Sequence, residues 1–150
     1  MVTRWSGELS QLRRIAFDTN ALIYAIELRE PYAPFVSGAL DRVRQGLAVG
    51  IISTVVEMEL LVQPLQRSDE RALDHMNLFF RSFPGLLVQS VDRAIGHHAA
   101  LLRARYHLHP MDAIVVATAI EHGADALIGN DAFLKDRTPN IPYLLLSDYI

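Results

Sequence analysis

The stretch His109-Pro-Met-Asp112-Ala-Ile-Val-Val-Ala-Thr-Ala-Ile120-Glu-His-Gly123-Ala-Asp-Ala126-Leu-Ile-Gly-Asn130-Asp131 decides the fold. Pro110 suits a first helical turn, where its missing N–H has no intrahelical partner to lose, and Gly123 suits the left-handed position just past a helix end. The residues between them predict a helix over 110–122 in which Asp112 is the only charge before Ile120, so that helix is largely buried. A β-like run, Ala126–Ile128, follows at once. The helix travels roughly 20 Å one way and the strand returns beside it. This predicts that Asp131 comes back to the end where Asp112 began.

Similar short runs recur at 15–17, 48–51, 86–88 and 143–146, each separated by a stretch that is helical in pattern or turn-like. That alternation predicts an α/β fold, a mainly parallel central sheet flanked by helices. Ser53 or Thr54 is expected to cap a helix that ends before Pro64, and Ser68 to cap the next. There is no repeat, linker or low-complexity tract, so residues 1–150 read as one domain.

Composition narrows the chemistry. The 150 residues are 51% hydrophobic and 21% charged, enough for one core and too few for a second domain. With no cysteine, disulfides, thiolate metal sites and a cysteine nucleophile are excluded, and catalysis must use oxygen or imidazole groups. The first apolar run, Ile15-Ala-Phe17, is cut short by Asp18, and the longest, Ala113 to Ile120, is far below the roughly 20 residues of a membrane span. A soluble cytoplasmic protein with no membrane partner is expected. Fourteen Lys and Arg against 17 Asp and Glu give a net charge of −3, which argues against gripping nucleic acid by bulk charge alone.

Four acids stand out. Asp18 lies at the carboxyl end of the first predicted strand, where open α/β sheets place their ligand crevice. It reads equally well as the N-cap of the helix starting near Ala21, and position alone does not separate the two. In Ser53-Thr-Val-Val-Glu57-Met-Glu59-Leu-Leu-Val62 two glutamates stand two residues, roughly 200°, apart on one helix. Glu59 has Val55, Val56 and Val62 as its one-turn neighbours and is the site candidate, whereas Glu57, near Ser53 and Thr54, reads as a helix-start or solvated glutamate. Asp112 is a carboxylate in an apolar helix and needs a partner, a metal or the dipole of its own helix to be there. Asp131 again follows a predicted strand. If Asp18, Glu59, Asp112 and Asp131 converge at the carboxyl edge of the sheet, they repel one another unless a cation neutralises them. Oxygen-only ligands select hard ions, so the expected cofactor is Mg²⁺ or Mn²⁺. Metal held by carboxylates, with positions left for water and a phosphate oxygen, is the apparatus of phosphodiester hydrolysis.

At these residues the chain resembles the PIN-domain proteins, and is most similar to the VapC-type toxin ribonucleases of type II toxin–antitoxin modules. The matching segments are Ile15-Ala-Phe-Asp-Thr-Asn-Ala-Leu-Ile-Tyr24, Ile52-Ser-Thr-Val-Val-Glu-Met-Glu-Leu-Leu-Val-Gln-Pro64 and His109 to Asp131, in the expected order across nearly the whole chain. The resemblance implies a metal-dependent endoribonuclease acting on RNA, a homodimer, and a cognate antitoxin that wraps it. It carries the family's acidic positions onto Asp18, Glu59, Asp112 and Asp131, with Asn20 and Asn130 as supporting polar neighbours. The chain departs from the family in two places: Gly129 stands where Thr or Ser is frequent, removing a hydroxyl beside Asp131, and Val56 replaces a frequent Thr.

Other constellations are weaker. His97-His98 and His107-Leu-His109 lack a nucleophile elbow or a His-Glu-x-x-His helix and read as surface or loop histidines, and no Gly-rich phosphate loop is present. Of the 14 basic residues only Lys135 is lysine. Arginine suits bidentate phosphate contacts, and Arg13, Arg14, Arg103, Arg105, Lys135 and Arg137 are the candidate contacts to an RNA backbone. Setting the four acids aside leaves 13 acids against 14 bases, so the negative balance is local to the proposed site. Competing readings keep the acids and change the role: a structure-specific DNA nuclease, a phosphoacceptor signalling domain, which Gln89 at the end of the third predicted strand disfavours, or a catalytically silent binding partner.

Overall fold

In the computed structural model, which describes residues 3–150, short strands alternate with helices from end to end. The elements are α1 (Arg4–Leu9), β1 (Arg14–Phe17), α2 (Thr19–Ile26), α3 (Ala33–Arg44), β2 (Val49–Ser53), α4 (Thr54–Gln66), α5 (Glu70–Ser82), β3 (Leu86–Gln89), α6 (Arg93–Tyr106), α7 (Pro110–Glu121), β4 (Ala126–Gly129), α8 (Ala132–Asp136) and β5 (Tyr143–Leu145), ending in a 3-10 turn at Leu146–Tyr149. All five strands pair in parallel in the order β3-β2-β1-β4-β5. The sheet is the single parallel α/β unit that the sequence predicts. Among the described residues no helix is long and apolar enough to cross a membrane.

The strand order places the site. The chain steps outward from β1 through β2 to β3, then crosses to the other side of β1 for β4 and β5. The order therefore reverses between β1 and β4, and crevices in open parallel sheets form at the carboxyl ends of the strands at such a switch. Ile15, Ala16 and Phe17 lie opposite Ala126, Leu127 and Ile128, and the Asp18 amide continues the ladder by donating to the Ile128 carbonyl at 2.9 Å. The residues that follow these two strands are thus held side by side.

Both central strands are buried on both faces, with Ile15, Phe17, Leu127 and Ile128 no more than 1% exposed. α6 packs against α7, α4 against α5 and α2 against α3 around this core. α7 buries Ala113 and the run Val115 to Ala119, which is why its sequence is apolar all round.

Helix ends explain where the sequence is read correctly and where it is not. Ser53 caps α4, accepting from the Val55 amide at 3.2 Å, and Pro110 opens α7 behind His109. Gly123, at φ 71°, closes α7: its amide donates to Ile120 O and that of Ala124 to Ala119 O, the paired bonds of a Schellman end. Two expectations need correction. α4 does not stop before Pro64 but runs on to Gln66, because a proline in the last turn forfeits a single bond, that to the Leu60 carbonyl. Nor does Ser68 cap α5. It ends α4 in the same Schellman manner as Gly123, at φ 52°, with its amide on Leu65 O and that of Asp69 on Pro64 O. The cap of α5 is Asp69, whose carboxylate accepts from the Ala72 amide at 3.1 Å. Since a left-handed serine carries strain that glycine lacks, Ser68→Gly is expected to stabilise the fold by about 0.5–1 kcal/mol in urea unfolding.

Candidate functional site

Four elements deliver the four acids to one edge of the sheet. Asp18 ends β1 and caps α2, Asp131 follows β4 and caps α8, Asp112 lies in the first turn of α7, and Glu59 lies one turn into α4. Asp18 is both things its position allows: its carboxylate accepts from the Thr19 amide at 2.8 Å, and it is buried at 8% exposure. Burial, opposed by the Thr19 amide and reinforced by the charges of Asp112, Glu59 and Asp131, pushes its carboxyl up to about 7. Asp112, half-buried, is also raised, first by burial and then by Asp131, with His109 opposing and Glu59 adding to the rise. The electrostatics thus link all four acids and leave Glu57 out.

Exposure does not separate the two glutamates, since Glu59 is exposed and Glu57 half-buried. Direction does. Glu59 turns to α2, where its carboxylate accepts from the Thr19 hydroxyl at 2.8 Å. Thr19 therefore serves Asp18 through its amide and Glu59 through its hydroxyl.

The two asparagines differ. Asn130 is a staple, donating to the Tyr24 hydroxyl at 3.3 Å and accepting from the Ser147 amide at 2.9 Å. Asn20, in the first turn of α2, buries its side-chain oxygen without any donor, an orphan acceptor beside Glu59 on the wall of a cavity of about 460 Å³ between α2, α4 and α5.

These residues suit a hard divalent cation in chemistry. Every donor is oxygen, one carboxyl is held near neutrality by its surroundings, and a buried acceptor lacks a partner. Among the described residues no three His, Asp or Glu side chains already stand close enough to share one ion. Asp18 and Glu59 each accept a hydrogen bond from Thr19, and Asp131 accepts one from the Leu134 amide at 3.2 Å.

Two residues that the sequence does not mark as part of the site stand here. His109 precedes α7, and its charge bears on Asp112; its ring lies 6.4 Å from that of Phe133. Tyr143 of β5 accepts from the Asp131 amide at 3.1 Å through its hydroxyl, and burial, with the charges of Asp18, Asp131 and Asp112, drives its phenol far above the usual range. Histidine near an acid three residues on is a signal the sequence holds; the tyrosine becomes visible only once β5 is known to pair with β4.

The basic candidates divide by position. Arg103 and Arg105 are in the last turn of α6, which leads through the 107–109 loop into α7 and so lies at the acidic edge. Arg103 spends one N–H on Leu108 O at 3.2 Å. Arg137 lies over the Phe133 ring at 4.0 Å, and Lys135 pairs with Asp148. Arg13 and Arg14 are at the opposite end of β1 from Asp18, and the Arg14 guanidinium is committed to the His122 carbonyl at 2.8 and 2.9 Å. The structure does not bring those two to the acids.

Residues 15–137 match the PIN domain family model. No curated protein sequence matches the chain. Solved structures do, at full probability. One is VapBC2 from Rickettsia felis bound to a DNA fragment from its promoter, at TM-score 0.68 and 18% identity, covering 88% of this chain and 98% of that one. Another is a toxin–antitoxin complex from Klebsiella pneumoniae, at 0.64 and 24%, covering 88% and 97%. A third is DNA-bound VapBC from Salmonella typhimurium, at 0.63 and 21%, covering 89% and 98%. At such identities the likeness is one of fold. The family match spans both central strands and every acid of the cluster, and the chain belongs to the PIN domain family.

Proposed function

We propose that this chain is a divalent-metal-dependent endoribonuclease and the toxin of a toxin–antitoxin pair. The observation that carries the reading is the set of four carboxylates at the switch point of the sheet, Asp18 held near neutrality by burial and by the other three. Carboxylates that raise one another's proton affinity beside a crevice are the arrangement expected where a cation is to be taken up.

Asp18 and Asp112 would hold Mg²⁺ or Mn²⁺, with Glu59 and Asp131 completing the oxygen set and Asn20 and Asn130 in support. The bound ion would supply an activated water and charge stabilisation at the scissile phosphate. The protein does the rest. Thr19 fixes the directions of Asp18 and Glu59 through its amide and hydroxyl. The start of α8 orients Asp131 through the Leu134 amide. Arg103, Arg105 and Arg137, with Lys135, lie on the same side and offer phosphate contacts that position a strand without reading its sequence. The parts played by Arg13 and Arg14 would be confined to RNA running round to the far edge.

An antitoxin partner, homodimerisation and a cytoplasmic setting belong to the same proposal. Two of the structural relatives are VapBC assemblies and one a toxin–antitoxin complex. On this chain the cavity next to Glu59 and the exposed Met58, Val62 and Leu65 along α4 give a partner an apolar place to lie.

The test is cleavage of single-stranded RNA by purified protein with Mg²⁺ or Mn²⁺ and with EDTA, alongside flap DNA. RNA cleavage that EDTA abolishes is the expected result. Preferential cleavage of flap DNA would move the reading to a DNA nuclease, and no cleavage of either by folded, metal-loaded protein would leave a binding partner.

A further inference from the structure

Gly129 ends β4 between Ile128 and the acidic edge, and its neighbourhood shows why it is a glycine. A Cβ built on it would fall 2.1 Å from the Tyr143 hydroxyl, 2.9 Å from the ring carbon that bears it, and 3.2 Å from Asp18 Cβ. The phenol oxygen therefore occupies the space of a side chain at position 129, beside Asp18. It comes from the neighbouring strand: Tyr143 lies opposite Leu127 in the β4–β5 pairing and leans along the strand to reach 129. The tyrosine is buried at 7% exposure, so this placement is fixed by packing and not by chance of rotamer. The hydroxyl receives the Asp131 amide, which leaves its proton to give, and Asp18, Asp131 and Asp112 are the charges that bear on it.

We propose that Tyr143 is a positioning residue of the acidic site, its hydroxyl filling the place of a side chain at 129 and fixing, through the Asp131 amide, where the Asp131 carboxylate stands between α8 and Asp18. Gly129 and Tyr143 then form one functional pair, the glycine making room and the tyrosine returning a hydroxyl to the edge. Removing the hydroxyl leaves a half-buried amide unpaired and Asp131 free to shift, while the ring still fills the core. This rests on the acids being a cation site.

The test compares wild type, Tyr143→Phe, Tyr143→Leu and Gly129→Ser/Tyr143→Leu by three readouts: thermal melting, hydrogen exchange of the Asp131 amide by NMR, and Mn²⁺ affinity by calorimetry. Tyr143→Phe should stay folded, speed exchange at the Asp131 amide and weaken Mn²⁺ binding about tenfold. The double variant, which restores a hydroxyl from the other strand, should bind Mn²⁺ more tightly than Tyr143→Leu alone. A folded Tyr143→Phe with wild-type exchange and affinity, or a double variant no better than Tyr143→Leu, overturns the pairing. If wild type takes up no Mn²⁺, the cation site itself is refuted and the proposal falls with it.

Discussion

Asp112→Asn is expected to lower kcat/KM for single-stranded RNA by about 100-fold or more while leaving the fold intact. Asparagine keeps the shape of the side chain in the first turn of α7 and removes only its charge. Two effects on stability compete. The helix N-terminus favours the carboxylate by roughly 0.3–1 kcal/mol, whereas burial and the charges of Asp131 and Glu59 disfavour it. The carboxyl of Asp112 is raised because burial, with Asp131 and Glu59, outweighs the opposing His109. The melting temperature of Asp112→Asn should therefore equal or exceed that of wild type even as activity collapses. Activity and stability falling together would make Asp112 a fold residue, and unchanged cleavage would remove it from the site.

Asp18→Asn is expected to change how stability depends on pH. The unfolded chain releases this proton near 3.8, while the folded protein holds it up to about 7. Folding therefore takes up a proton between those values, and stability falls as pH rises across the window, the loss being complete above about 7. A three-unit rise corresponds to something on the order of 4 kcal/mol in total. In urea unfolding with EDTA, wild type should lose about 2–3 kcal/mol between pH 5 and pH 8 from this group. Asp18→Asn should lose that much less, because asparagine is neutral throughout and still serves as an N-cap. Mn²⁺ at pH 8 should restore stability to wild type by mass action and do much less for the variant. Equal pH slopes in the two proteins would show that Asp18 is not held near neutrality.

What the sequence makes legible is what local rules and chain reversal control. Pro110 and Gly123 bracket α7 because one needs no hydrogen bond and the other no Cβ. The strand that follows must return to the same end, so the approach of Asp131 to Asp112 is legible in the order of the residues alone. The apolar one-turn neighbours of Glu59 single it out in the sequence, but in the structure it is exposed and its direction is set by the Thr19 hydroxyl of α2. Where two local solutions compete, the sequence is silent: Ser68 and Asp69 are both good caps, and only the left-handed turn that ends α4 assigns the cap to Asp69. Arg14 looks as available as Arg105 until the end of α7 is seen to lie against it. Tyr143 is the strongest case. Its ring reads as strand core, and its place at the acids depends on β5 pairing beyond β4 and on the absence of a side chain at Gly129. Legibility ends where a residue's role depends on which strand lies next to it.

On the proposed reading, Asp18, Glu59, Asp112 and Asp131 make one divalent-cation site. Calorimetric titration of Mn²⁺ into wild type, Asp18→Asn and Asp112→Asn at pH 8 tests it most directly, with thermal melts confirming that each is folded. Saturable binding to wild type, weakened about tenfold or more in both variants, is the predicted result. Folded wild type that takes up no Mn²⁺, or binding that neither substitution alters, would contradict it.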